Sequence, residues 1–259
     1  MRDVPVGVQL YTLARELLED YQGTLEEVAR IGYPIVEIGG PPAPYTAREW
    51  RAVLARLGLS AISHHMDLDR LRTDLDRAID FDLDIGVRYM TCPILSPDMA
   101  ADEEAYRRTA DFLNRTGRRC AERGLRFCYH NHSFEFVRFG DRFAYDLLIE
   151  ETDPAAVLFE MDAYWVTHGG QDPAAYLRKL GPRCEILHLK DMEKGPERFF
   201  TEVGEGRVDF AALMTAAAGE SVGTFIVEQD ATRLPTGFDS IRTSLRNIGR
   251  IKQAIGMGG

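Results

Sequence analysis

The stretch AVLFEMDAYWVTHGGQDPAAYLRKLGPRCEILHLKD, residues 156–191, holds one full unit of the pattern that decides the fold. Its first apolar run, AVLFEM at 156–161, ends in Glu160-Met161-Asp162. After a loop, Asp172-Pro173 opens a helix over 172–180. The aspartate can accept from the first free amides, and proline sits where no amide is needed. A second run, EILHLK at 185–190, carries His188 and Lys190 and leads into Asp191. Both runs are near-continuously apolar rather than alternating, as expected of parallel strands covered on the outside by helices.

The unit recurs in both directions. Further runs are PVGVQL at 5–10, PIVEI at 34–38, LSAIS at 59–63, VRYMTC at 87–92, LRFCYH at 125–130 and TFIVEQ at 224–229. Helical patterns fill 23–32, 46–57, 67–85, 102–123, 143–152, 209–218 and 237–255, besides 172–180. Thr24-Leu25-Glu26-Glu27 and Thr46-Ala47-Arg48-Glu49 both fit a capping box at a helix start. Eight strands alternating with eight helices predict an α/β protein, a (β/α)₈ barrel forming a single domain over 1–259. The length of 259 residues matches the ~250 typical of that fold. A doubly wound open sheet is the competing architecture, but no G-x-G-x-x-G or Walker motif follows any strand.

Composition narrows the function classes. Apolar residues make up 45% and charged residues 28%, an ordinary globular balance. A net charge of −10 repels phosphate backbones, so no nucleic-acid partner is expected. No stretch approaches the ~20 apolar residues of a membrane span, and MRDVPVGVQLYTL lacks a signal-peptide core, so a cytoplasmic protein without a membrane partner is expected. Cys92, Cys120, Cys128 and Cys184 form no C-x-x-C pair and read as buried thiols rather than a disulfide or zinc framework.

Active sites of such barrels lie at the C-terminal strand ends. There the chain places Glu37, His64-His65, His130-Asn131-His132, Asp162, His188 and Glu228. Five of the six histidines fall at strand ends, His168 follows the sixth strand by a short loop, and none falls in a predicted helix. Asp162, His188 and Glu228 stand out: each ends an apolar strand, where an unpaired polar group is costly. Together they suit one divalent ion, Mn²⁺ first, with Co²⁺, Mg²⁺ or Zn²⁺ as alternatives.

YHNHSFEF at 129–136, EMDAYW at 160–165, HLKD at 188–191, VGEGRVDF at 203–210 and IVEQD at 226–230 resemble, in order and spacing, the xylose-isomerase-like barrels, in particular the sugar phosphate isomerase/epimerase branch. The resemblance implies that Asp162, His188 and Glu228 ligate the metal. The family's fourth ligand is a glutamate ending the fifth strand. Here that place holds His130, and either His130 or Glu135 fills the role. The departure unsettles the epimerase proton relay and looks more like inosose dehydratases. The endonuclease branch fits poorly: Trp165, Arg198-Phe199-Phe200 and Cys92-Pro93 stand where its extra metal ligands are expected.

The implied reaction is proton abstraction beside a carbonyl of a ketose or keto-polyol, through an enediolate stabilised by the metal. Glu228 or His130 is the candidate base. Lys190 either donates to a developing oxyanion or pairs with Asp191. His64, His65, His132 and Glu37 are candidates to bind substrate hydroxyls or plain rim residues. Tyr11, Trp50 and Trp165 wall the sugar site or pack the core. Gly204-Glu205-Gly206-Arg207 is a candidate cover, with Arg207 for an anionic group; no phosphate cradle is visible. The expected partner is a small sugar or polyol, and association into a homo-oligomer is left open. A dehydratase and a non-catalytic sugar-binding barrel are the alternatives.

Overall fold

A computed structural model describes residues 1–258; Gly259, the last residue of the expected domain, lies outside them. Eight parallel strands close into a barrel in sequence order: Val6–Gln9, Ile35–Ile38, Ser60–His65, Tyr89–Cys92, Arg126–His130, Leu158–Asp162, Ile186–Leu189 and Thr224–Val227. The first strand bonds to both the second and the eighth, which completes the ring. Each expected strand is present within two residues of its reading at either end.

Successive side chains alternate between the two faces of a strand, and that alternation builds the interior in layers. One layer is apolar: Tyr89, Cys128, Leu158, Ile186 and Ile226, with Ile35 and Ile62 against them. Gly7 belongs at this level because a Cβ there would come within 2.8 Å of Ile35 and Ile226. Two residues further along each strand the chemistry changes. Gln9, Glu37, Thr91, His130, Glu160, His188 and Glu228 follow the same parity and are all buried. The opposite faces, with Val8, Val36, Met90, Phe127, Phe159, Leu187 and Phe225, pack against the helices in the main core.

The helices agree with expectation except in four places. Two short ones, α1 (Ala14–Glu19) and the helix Ala163–His168, were not foreseen, so His168 does lie in a helix. The helix expected over 23–32 is α2 (Tyr21–Ile31), capped by Asp20, whose carboxylate accepts from Gly23 N. Thr24 is therefore not a cap; its hydroxyl donates to the Asp20 carbonyl. The run 67–85 divides at Asp74 into α4 (Leu68–Thr73) and α5 (Leu75–Ile85). By contrast Thr46 and Glu49 form the expected capping box on α3 (Ala47–Leu57), and Asp172 caps the helix Pro173–Leu180. All four cysteines are buried and free. Among the described residues no helix is long and apolar enough to cross a membrane.

Candidate metal centre and active site

The polar layer converges at the C-terminal mouth. One ligand atom from each of His130, Asp162, His188 and Glu228 lies within 4.8 Å of the others, and all four side chains are buried. Asp162 Oδ2 has no hydrogen-bond partner. A buried carboxylate oxygen without a partner is costly, and a carboxylate–imidazole set is what a hard-to-borderline divalent ion takes. The residues present therefore fit such an ion.

Asparagine and lysine brace this set. Asn131 Oδ1 accepts from the Asp162 amide at 3.0 Å and from the Tyr145 hydroxyl at 3.2 Å, fixing the backbone that carries Asp162. Lys190 is 1% exposed. Its ammonium lies 2.6 Å from Asp230, 3.2 Å from Glu228 and 3.8 Å from Asp162. It also faces the rings of Trp165, Phe200 and Tyr164 at 5.0, 5.3 and 5.9 Å. Burial alone would lower its pKa, but Glu228, Asp162 and Asp230 outweigh burial and raise it. Burial raises Asp162 to about 7. Glu228 is held well below the usual carboxylate range, because Lys190 and His188 overcome its desolvation.

A second tier lies behind. Glu160 reaches His65 Nε2 at 2.6 Å, His130 Nδ1 at 3.2 Å and Thr91 Oγ1 at 3.0 Å. Glu37 accepts from Gln9 Nε2 at 2.8 Å and from the Ser63 hydroxyl, and lies 2.7 Å from His188 Nε2. Burial opposes charge on His65, yet Glu37 and Glu160 raise it to about 10. Burial lowers His130 to about 4 and His132 to about 2, so both rings are neutral near pH 7.

A cavity of about 440 Å³ opens onto the centre, lined among others by Tyr11, His65, His130, His132, Lys190, Glu228 and Asp230. Trp165 stands just behind, its ring 5.1 Å from that of His132. Other expected residues are elsewhere. A register shift between Val36 and Glu37 sends His65 inward and His64 outward, where His64 meets Asp82 at 2.6 Å. Trp50 packs edge-on against Tyr21 and Tyr45 in the core. Glu135 does not reach the centre: its carboxylate is taken by the Tyr129 hydroxyl and the His132 amide. Arg207 donates to the carbonyls of Glu193, Lys194 and Gly195 instead of facing the cavity. Asp191 does not pair with Lys190; it accepts from the amides of Gly204, Gly206 and Val208 and pins the glycine loop. Sequence reading passed over Glu160 and Asp230 as site residues. The spacing Glu160-x-Asp162 was the available signal, since it puts both carboxylates on one strand face.

Residues 25–251 match the family model described as xylose isomerase-like TIM barrel. The chain belongs to that family. Among solved structures, a sugar phosphate isomerase/epimerase from Parabacteroides distasonis superposes with a TM-score of 0.81 at 24% identity, covering 96% of this chain and 94% of that one. An L-ribulose 3-epimerase superposes at 0.75 with 16% identity, over 98% and 96% of the two chains. At those identities the likeness is one of fold. Similar curated relatives are inosose dehydratases. That of Clostridium beijerinckii is 31% identical over 140 residues, 48% of this chain and 46% of its own length. That of Geobacillus kaustophilus is 26% identical over 232 residues, 73% of each. Against the first of these relatives the match spans about half of their length.

Proposed function

We propose that the chain is a metal-dependent enzyme that removes a proton beside the carbonyl of a sugar or keto-polyol. The observation that carries this reading is the buried convergence of His130, Asp162, His188 and Glu228, with Asp162 Oδ2 unpartnered, beside a cavity that His130 and Glu228 line. A divalent ion held there, manganese by preference, would polarise the substrate carbonyl and acidify the neighbouring C–H. Glu228 is the base: it lines the cavity and Lys190 holds it ionised. His130 turns Nδ1 to Glu160 and Nε2 toward Asp162, which leaves neither ring nitrogen for the substrate and argues against it as the base. Lys190, charged and aimed at the same space, donates to the substrate oxygen that gains charge. Tyr11 and His132 flank the ring of the substrate.

Within this reading, dehydration is preferred over isomerisation or epimerisation. Epimerisation returns the proton on the opposite face and so calls for a second acid/base group across the ring. Glu135 is turned away and the fifth strand offers the neutral His130. Elimination needs one group. Glu228 accepts the proton, the C–H pair becomes the C=C bond, the C–O bond of the adjacent carbon breaks, and the departing hydroxide takes the proton back as water. The inosose dehydratases among the relatives favour the same choice.

Deuterium uptake and water loss, followed by NMR in D₂O over a panel of ketoses and inososes, test it. Loss of water from an inosose supports the dehydratase; exchange with inversion and no loss of water supports the epimerase. No exchange across the panel with the ion bound refutes both. Glu228→Gln should lower turnover by ~10²-fold or more with a much smaller change in KM.

A further inference from the structure

The two histidines of the centre each stand between two carboxylate tiers. His130 turns Nε2 toward Asp162 Oδ2, at 4.0 Å, and Nδ1 toward Glu160, at 3.2 Å. His188 turns Nδ1 toward Glu228, at 3.1 Å, and Nε2 toward Glu37 and Glu160, at 2.7 and 3.1 Å. A second set of potential ligands, His65, His130, Glu160 and His188, therefore shares both rings with the first.

The two tiers differ in how far their polar groups are satisfied. In the deep tier Gln9 and Ser63 donate to Glu37, while Thr91 and His65 engage Glu160. In the outer tier Asp162 Oδ2 is left without a partner. The outer tier thus holds the unsatisfied carboxylate oxygen, while both carboxylates of the deep tier are hydrogen-bonded. A neutral imidazole carries one N–H. If Glu160 takes it at His130 Nδ1, then Nε2 is left as a bare lone pair facing Asp162, the form a metal requires.

Resting on the metal reading above, we propose that Glu160 is the positioning carboxylate of the centre. It fixes the tautomer and tilt of His130 from behind, and so lets an imidazole serve where a directly ligating carboxylate would otherwise stand. The negative charge has moved one tier inward and acts through the ring. Thr91 in turn holds Glu160.

Calorimetric titration with Mn²⁺ at fixed pH, and the visible spectrum of the Co²⁺ form, test this on the full chain. The native protein should bind one ion. Glu160→Gln should bind one ion ~10–100-fold more weakly, the usual cost of losing the partner of a ligating histidine. Thr91→Val, which loosens Glu160 without removing its charge, should show a smaller loss and decides the matter if Glu160→Gln does not fold. In a His130→Glu background the sign should reverse. There a carboxylate ligates directly, Glu160 behind it only repels, and Glu160→Gln should strengthen binding. An unchanged affinity per folded chain, with only the melting temperature lowered, would show a structural role and overturn the proposal. Equal losses in both backgrounds would overturn it too. Two ions per native chain, one of them lost in Glu160→Gln, would make the deep tier a second metal site instead. No ion in the native protein would refute the metal reading itself.

Discussion

At Asp162 burial and charge conflict most directly: the side chain is fully buried, one oxygen is bare, and burial raises its pKa to about 7. Removing it should abolish ion binding. Excess Mn²⁺ should raise the melting temperature of the native protein, by an amount that corresponds to about 2.7 kcal/mol at 100 times Kd, and should leave Asp162→Ala unmoved. An equal rise in both, followed by scanning calorimetry, would sink the assignment. Glu135 gives a separate pH test. Burial raises its pKa to about 7, above the ordinary 4.5. Its contribution to stability is then full below about pH 4.5 and lost as pH rises through 7, after which the buried carboxylate costs on the order of 3 kcal/mol. Glu135→Gln should therefore gain on the native protein between pH 5 and pH 8 in urea unfolding; a constant difference would contradict this. Single residues were unevenly legible. Asp162, His188 and Glu228 announced themselves as polar residues ending apolar strands. His64 could not be told from His65, because a register shift two strand positions earlier decides which ring turns inward.

The elements were the most readable level, since eight apolar runs separated by capped helices leave few alternatives. What was missed has local causes. Leu71, Leu75, Ala78 and Ile79 keep a helical spacing across Asp74, and only the backbone at Asp74, with φ −143°, breaks the run. At α2 the capping residue was one turn earlier than the Thr-x-x-Glu motif suggested. The glycine loop was read as a cover for the site, yet its amides end on Asp191, a contact between residues 13 to 17 positions apart that no local pattern announces. Asp191→Ala should remove these acceptors and destabilise the fold by ~2–3 kcal/mol. Gly206→Ala should do comparable harm, because its Cβ would fall 2.2 Å from the Met192 carbonyl. Thermal unfolding of both variants is the check, and wild-type stability in either would mean the loop is not anchored there.

Taken whole, the barrel keeps its chemistry at one end, and the acidic surface bears on what can reach it. A net charge of −10 opposes a polyanion. Trp165 packs between Tyr164, His132 and Lys190, and Phe200 stacks on Tyr164, so neither position offers a metal ligand. Incubation with an abasic duplex and Zn²⁺ at low salt should give no incision. Incision that requires Asp162 would overturn the reading. Fold and family were legible at this scale because strand-end motifs recur in fixed order. The preference proposed here for dehydration over epimerisation was not, because it rests on where Glu135 points.

The chain has two tryptophans, and their settings differ sharply. Trp50 is sealed in an aromatic cluster with Tyr21 and Tyr45. Trp165 stands beside the cavity, 5.0 Å from the Lys190 ammonium, its indole N–H without an acceptor. The molecule thus carries a built-in optical reporter. Indole emission is sensitive to a nearby charge, so anything that draws Lys190 away or hydrogen-bonds the free N–H should change the colour or brightness of Trp165 while Trp50 stays constant. In a Trp50→Phe protein the arrival of ion and substrate should be visible by fluorescence alone, without an assay of turnover.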